Sequence, residues 1–291
     1  MNTFSGAPVR SGEAGARASA DLARIASGLT LHEDGIWYAT RESAVSYPVE
    51  GHQTCFQVEE GSFWFAHRNR CITALLSAFP PPAGRPLVDI GGGNGFVSRA
   101  IERLGIEAVL VEPGRTGARN AKERGVAHVV CAPLEDAGFA EASFAGAGLF
   151  DVIEHLPEPA RFLTSLGDFL TEDGRLYVSV PAFPALWSDE DEAAGHYRRY
   201  TAATLSATLE ASGFTPEFTT FIFRPLPVPV FLLRTIPYRL GRRRQTLDGA
   251  AMAREHRAGN RPVRGVVEAL LRREASNIER KRPMRFGSSI L

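Results

Sequence analysis

Cysteine is scarce in this chain. Cys55, Cys71 and Cys131 are three in 291 residues. Their number is odd and their spacing fits no zinc motif, so neither a disulfide framework nor a cysteine-built metal site is expected, and a reducing cytoplasm suits the chain. Long hydrophobic runs are missing too. No stretch approaches the length of a bilayer span, and no apolar run follows a basic start, which speaks against a membrane-spanning helix and a secretory signal. Net charge is absent: 33 basic residues balance 33 acidic ones, leaving no global electrostatic footprint for nucleic acid. The basic residues are nearly all arginine, a bias that reads as genomic base composition before it reads as function. The length allows one α/β core with additions.

Against these absences stands one informative segment, Leu87 to Phe96. An apolar run ends in an acid, a glycine cluster follows, and an amphipathic stretch comes next. That order predicts a strand, a tight turn and a helix, the unit that cradles a nucleotide-like ligand. Side chains at Gly91, Gly93 or Gly95 would block the ligand or forbid the dihedrals that the turn needs. A dinucleotide fingerprint requires G-x-G-x-x-G. Counting from Gly91 and Gly93, the third position holds Phe96; counting from Gly92, the second holds Asn94. The spacing therefore argues against a nicotinamide-dependent oxidoreductase, which stays as the alternative enzyme class.

Other acids fall at predicted strand ends. Glu112 closes the run after Glu107, where a carboxylate can accept hydrogen bonds from both hydroxyls of a ribose; the plain reading is a solvated loop acid. Asp151, Glu154 and His155 lie in the segment Leu149–Pro159, and His196 lies in the segment Trp187–Thr201. From Leu87 onward, predicted strands and helices alternate over 87–90, 96–104, 107–112, 116–124, 127–131, 145–151, 158–170, 175–181, 201–212 and 215–224. This rhythm implies a parallel, doubly wound sheet with ligands at the carboxyl ends of its strands.

The run Asp89-x-Gly91-x-Gly93-x-Gly95 resembles motif I of the class I S-adenosylmethionine (SAM)-dependent methyltransferases. Leu149–Pro159 is similar to that family's D-V-I-E-H-L-x-x-P segment. Leu170–Pro181 and Trp187–Thr201 are similar to two further family segments, in the same order. The resemblance spans roughly 86–224. It implies a mainly parallel seven-stranded sheet of Rossmann-like methyltransferase type, with an N-terminal helical extension and an inserted helical segment before the last strand. It also implies a SAM site built from Asp89, Gly91, Gly93, Gly95, Glu112, Leu134 and Asp151. The family often carries an adenine-reading acid directly after strand three; here Glu135 or Asp136 stands in, or backbone groups do the reading.

Methyl transfer from a sulfonium is an in-line displacement that needs alignment and a dry pocket. A hydroxyl acceptor must also lose a proton, and His155 and His196 are the candidate bases. The Asp151-x-x-Glu154-His155 run is similar to the Glu-x-x-Glu-His of small-RNA 2′-O-methyltransferases, and ubiquinone-pathway O-methyltransferases carry a like segment. That likeness implies a divalent cation on Asp151, Glu154, His155 and His196, suited to Mg²⁺, Mn²⁺ or Zn²⁺. The plain reading is that Glu154 and His155 cap the following helix.

Four parts are expected: an extension or lid over 1–79, a SAM-binding core over 80–224, a helical insertion over 225–283 and a closing strand over 284–291. Met1 to about Ala16 has a disordered composition. Ala18–Ala26 reads as a short helix, and 36–40 and 44–48 as extended segments. Phe63, Trp64 and Phe65 either pack on the sheet or form a lid, and Arg68 is a candidate partner for a ligand carboxylate. The insertion is apolar, and Arg242–Arg244 flank it. It fits a membrane-interface element, a cap over the acceptor pocket, or a packed helical subdomain with a basic edge. Its helix over 261–282 puts Val263, Val266, Val267, Leu270, Leu271 and Ile278 on one face. The expected protein is a cytoplasmic SAM-dependent O-methyltransferase, peripheral at a membrane if the insertion binds lipid. Its acceptor is a small molecule, a sugar or a lipid-linked intermediate, and no nucleic acid is expected. A non-catalytic SAM-binding subunit is the third alternative. Oligomeric state is not legible.

Overall fold

The computed structural model describes residues 22–40, 56, 59, 61–242 and 261–291. Nine strands form one sheet: β1 (Leu29–Leu31), β2 (Trp37–Ala39), β3 (Leu87–Ile90), β4 (Ala108–Val111), β5 (His128–Cys131), β6 (Phe144–Phe150), β7 (Leu170–Pro181), β8 (Phe221–Ile222) and β9 (Ser289–Ile290). Their spatial order is β1-β2-β5-β4-β3-β6-β7-β9-β8. The strands from β2 to β7 pair in parallel. The outer pairs β1–β2, β7–β9 and β9–β8 are antiparallel.

The helices are α1 (Leu22–Ile25), α2 (Phe63–Ala78), α3 (Phe96–Arg103), α4 (Arg115–Glu123), α5 (Pro159–Gly167), α6 (Asp189–Ala194), α7 (Ala202–Ala211), α8 (Pro227–Val230), α9 (Ile236–Arg239) and α10 (Arg261–Glu279). Every residue of β3, β4 and β6 is buried. That follows from largely apolar runs, interrupted in β3 by Asp89, covered by helices on both faces as in other parallel sheets. One face packs Val88, Val109 and Phe144 against Leu163 and Leu166 of α5. The other packs Leu87 and Ile101 against Ile72 and Leu76 of α2 and Leu271 and Ile278 of α10.

The expected seven strands are β3 to β9. The described part of the N-terminal extension also adds a two-stranded edge to the sheet. It carries the four-residue α1, and its β2 lies parallel to β5. The extended segment expected over 44–48 lies outside the described residues, as do Met1–Ala16. The final strand β9 inserts between β7 and β8, so the antiparallel edge is made by both chain segments that flank the insertion.

The described residues of the insertion expected over 225–283 fall on either side of 243–260, which lie outside the described set. The second half of the insertion, α10, is part of the main core. Leu271, Ala275 and Ile278 are buried there, whereas Leu270 is 47% exposed. Leu270 lies off the stripe that Leu271, Glu274, Ala275 and Ile278 bury. The side chains of Val263, Val266 and Val267 lie outside the described set, as do Arg243 and Arg244.

A buried polar contact adds to the apolar packing of α10 on α2. Glu274 Oε2 lies 2.8 Å from His67 Nε2 and accepts from Phe223 N–H at 2.8 Å. Its Oε1 accepts from Arg224 N–H at 2.9 Å. His67, Cys71 and Glu274 are all buried. Burial, then the nearby Glu274 charge, pushes the Cys71 thiol up, so it stays a thiol beside its histidine. Removing the carboxylate strands two backbone donors and an imidazole in the core. Glu274→Ala should cost about 3 kcal/mol of stability in a urea unfolding curve. A loss below about 0.5 kcal/mol would show that this anchor carries little.

Candidate functional site

The chain runs outward through β3, β4 and β5, then returns to the other side of β3 as β6. Ligand crevices of open α/β sheets form where strand order reverses in this way, outside the carboxyl ends of the strands. Two groups of polar side chains meet there.

The first group surrounds the glycine turn. Gly91, Gly93 and Gly95 have φ of 66°, 53° and 75°, a region that disfavours any side chain. The reasons beyond dihedrals differ from those expected. A Cβ on Gly95 would lie 2.7 Å from Val126 and 2.8 Å from Ala121, so this glycine seats α3 against its neighbours. A Cβ on Gly91 would lie 3.0 Å from Val152, the residue after Asp151. The turn therefore abuts the second group directly.

Asp89 is buried within β3 and accepts from Ser98 Oγ at 2.5 Å. Burial pushes its carboxyl up to about 6, against the Ser98 hydrogen bond and the charge of Arg68. Glu112 follows β4 and folds back over the turn. It accepts from Gly93 N–H at 3.0 Å and from Gly114 N–H at 2.6 Å. Burial raises it to about 7, although both backbone bonds oppose the shift. Glu112 is thus no solvated loop acid.

Asn94 figured in the sequence only as the residue that breaks the dinucleotide spacing, yet it braces the turn. Its amide donates to Glu59 at 3.2 Å and accepts from Asn120 at 2.9 Å. Arg124 joins Glu59 at 2.6 Å and the Asn94 carbonyl at 2.9 Å. Leu134 opens a short 3₁₀ turn after β5 and is buried in the core. Nearby, Glu135 is exposed, whereas Asp136 is half-buried and its Oδ2 is enclosed without a hydrogen-bond partner.

The second group follows β6. Asp151 has φ of 59°, the left-handed region that aspartate enters more readily than most residues. It is held on both sides. Ser179 Oγ donates to Oδ1 at 3.0 Å, and Arg68 Nε lies 2.7 Å from Oδ2. Arg68 also donates to the Phe150 carbonyl at 2.7 Å. The guanidinium expected to meet a ligand carboxylate is therefore engaged by Asp151. Trp64 stacks on Phe223 with centroids 5.4 Å apart, so the aromatic start of α2 is packed into the fold.

Glu154 and His155 sit in the 3₁₀ turn Ile153–His155. Glu154 is completely buried and neither carboxylate oxygen has a hydrogen-bond partner. Burial, then the Asp151 charge, raises its carboxyl well above the usual range. The expectation that Glu154 and His155 cap the next helix fails on geometry. That helix, α5, begins at Pro159 with no side-chain cap. Burial, then His196, lowers His155 to about 4, so its imidazole is neutral.

His155 and His196 meet edge to face, with centroids 4.7 Å apart. His196 Nδ1 lies 2.9 Å from Asp191 Oδ1, and Arg199 Nε donates to the same oxygen at 2.7 Å. Burial alone would raise Asp191, but the bonds from His196 and Arg199 outweigh it and hold its carboxyl below the usual range. An ionised Asp191 selects the tautomer with Nδ1 protonated, which leaves Nε2 of His196 as an acceptor. Asp191 is a site residue that sequence reasoning missed. Its signal was the capping-box spacing Ser188-x-x-Asp191, which the structure forms at the start of α6.

Donor atoms of Glu154, His155 and His196 all lie within 4.8 Å of one another. Asp151, the fourth expected ligand, is outside this group and paired with Arg68.

Residues 64–217 match the family model for a methyltransferase domain. The chain is 30% identical over 119 residues to the ubiquinone biosynthesis O-methyltransferase of Caulobacter vibrioides, covering 36% of this chain and 44% of that protein. It is 26% identical over 111 residues to the enzyme of the same name from Xanthomonas axonopodis pv. citri, covering 36% and 46%. The match thus spans less than half the length of these curated relatives. Among solved structures, phosphoethanolamine N-methyltransferase 2 of Haemonchus contortus, in complex with SAM, shares the fold with a TM-score of 0.52 at 15% identity, over 87% of this chain and 60% of that one.

The glycine turn gives a direct test. Gly95→Ala forces a Cβ into both a left-handed backbone and the Val126 and Ala121 contacts. It should lower stability by about 2 kcal/mol or more. An unchanged thermal midpoint would mean that the turn relaxes at no cost.

Proposed function

Because this chain belongs to the class I SAM-dependent methyltransferase family, we propose that it moves the SAM methyl group to a hydroxyl of a small-molecule, sugar or lipid-linked acceptor. The observation that carries the acceptor chemistry is the Asp191–His196 pair, with the neutral His155 beside it, next to the glycine turn. SAM is held by the turn at Gly91, Gly93 and Gly95 and by Asp89, Glu112, Leu134 and Asp151. The buried Asp89 answers the α-ammonium, and Glu112 accepts from the ribose hydroxyls. In the reaction the sulfur–methyl bond breaks as the oxygen–methyl bond forms. SAM leaves as S-adenosylhomocysteine, and the acceptor proton goes to Nε2 of His196. Asp191 fixes the ring and stabilises the imidazolium that results. A nicotinamide cofactor has no such support here, since the third glycine of its fingerprint is Phe96.

His196→Ala should lower kcat by roughly 10²- to 10⁴-fold, as for loss of a general base. Asp191→Asn should lower kcat by at least about tenfold. Calorimetry should find SAM affinity unchanged in both. Full turnover in His196→Ala would refute the assignment.

Glu112 predicts a pH dependence. Its ionised form is the one that accepts from a ribose, and its carboxyl stands at about 7. Since this lies above the value in an unfolded chain, its ionisation costs stability: the contribution is full at low pH and is lost as pH rises through about 7. SAM binding runs the other way. Affinity should weaken about tenfold per pH unit below that point, and Glu112→Gln should flatten the profile. A flat wild-type profile between pH 5.5 and 8 would contradict this role.

Glu154 favours a second reading. Two enclosed carboxylate oxygens without partners beside two imidazoles are a donor set that fits a divalent cation. Glu154, His155 and His196 would hold it. Once bound, such an ion lowers the pKa of an acceptor hydroxyl. Under this reading, calorimetry detects Mn²⁺ binding that Glu154→Gln abolishes. Full activity after exhaustive chelation would leave His196 as the base.

A further inference from the structure

We infer that the helical run over 227–239 is a docking face for an anionic lipid surface. The run comprises α8, a π-helical turn over Phe231–Thr235, and α9. Its outer side is apolar. Val228, Leu232, Leu233 and Leu240 are 60%, 52%, 66% and 70% exposed. Scattered exposed leucines need no explanation, but four large apolar side chains along one short helical run form a patch of the kind that marks an interaction surface.

Charge identifies the occupant. Between Glu217 and Asp248 the sequence has no acidic residue and six arginines: Arg224, Arg234, Arg239, Arg242, Arg243 and Arg244. A chain with no net charge thus has a basic stretch of sequence where its leucines are exposed; within it Arg234 is paired with Glu190 of α6. Arg224, Arg239 and Arg242 are themselves exposed. Apolar side chains framed by arginine match a bilayer surface, where leucines enter the acyl boundary and guanidinium groups meet anionic headgroups. A second copy of this chain suits the patch poorly. A two-fold contact places the same surface on both sides, so the arginines of one protomer would face those of the other. The run is too short to span a bilayer, and no helix among the described residues is long and apolar enough to cross a membrane. The geometry is that of a helix lying in the interface plane.

The rest of the run is tied to the fold. Arg234 pairs with Glu190. Tyr238 donates to Glu192 at 2.5 Å, and Arg239 donates to the Ala185 carbonyl at 3.1 Å. Glu190 and Glu192 belong to α6, the helix that carries Asp191. A lipid surface on this face would therefore adjoin the histidine side of the crevice. That placement gives an acceptor with an apolar tail a direct approach. The link to the acceptor rests on the function proposed above; the lipid contact does not.

Vesicle co-sedimentation of the full chain tests the contact. The vesicles are phosphatidylcholine alone and phosphatidylcholine with phosphatidylglycerol, at low and at physiological salt. The expected result is binding to the anionic vesicles, weakened by salt, and little binding to the neutral ones. Arg239→Gln with Arg242→Gln should weaken binding by about fivefold per arginine. Leu232→Asp with Leu233→Asp should remove it. SAM calorimetry on each variant shows that the core is intact, which separates failure of this contact from failure of the methyltransferase reading. Wild-type protein that stays in the supernatant with anionic vesicles would overturn the inference. So would undiminished binding by the leucine double variant, or a wild-type dimer in light scattering that this variant converts to monomer.

Discussion

The carboxyl ends of β3 and β6 lie side by side, and the two loops that leave them touch. At that contact Gly91 is in a left-handed conformation, and a Cβ on it would lie 3.0 Å from a Val152 methyl, tighter than an ordinary contact. Everything else in the crevice depends on this approach. It sets the glycine turn against the Asp151–His155 segment, and under the proposed function a cofactor cradled by one would present its reactive end to the other. Both loops are then fixed from outside. Glu112 ties the turn to the end of β4 through Gly93 and Gly114. Ser179 and Arg68 hold Asp151 in a backbone region that costs energy.

The crevice gathers acids in a buried setting. Asp89 and Glu112 are both raised by desolvation, and Glu154 is raised by desolvation and the neighbouring Asp151. Arg68 is the cation whose charge reaches Asp89 and Glu154 as well as its partner Asp151. A cationic ligand entering here relieves strain already present in the protein. SAM carries an ammonium and a sulfonium, so the electrostatics favour it over a dinucleotide, whose pyrophosphate would add negative charge. The histidine side differs: Asp191 is balanced by Arg199 and His196 and stays ionised, as an orienting carboxylate must.

The central strands were legible in the sequence because β4 and β6 are unbroken runs without a polar side chain and β3 is interrupted only by Asp89, all bounded by turn residues. The glycine turn was legible because its spacing has a stereochemical meaning. Other features depended on long-range partners. The edge strand β2 was legible as the extended segment 36–40, but its partner β1 at 29–31 was not, since a three-residue strand carries too little alternation to be read. His67 and Glu274 are 207 positions apart, and only the fold brings them together. Asp191 was hidden in an acidic run, where one helix turn decides which carboxylate points inward. Leu270 was assigned to the wrong face because its neighbour Leu271 is the one that packs.

The central claim is that this crevice is built for SAM. Calorimetric titration of the purified chain with SAM, S-adenosylhomocysteine and NAD tests it most directly. The account predicts saturable one-site binding of SAM and S-adenosylhomocysteine, weakened by Glu112→Ala, and no saturable heat with NAD. Saturable binding of NAD with none of SAM would contradict it.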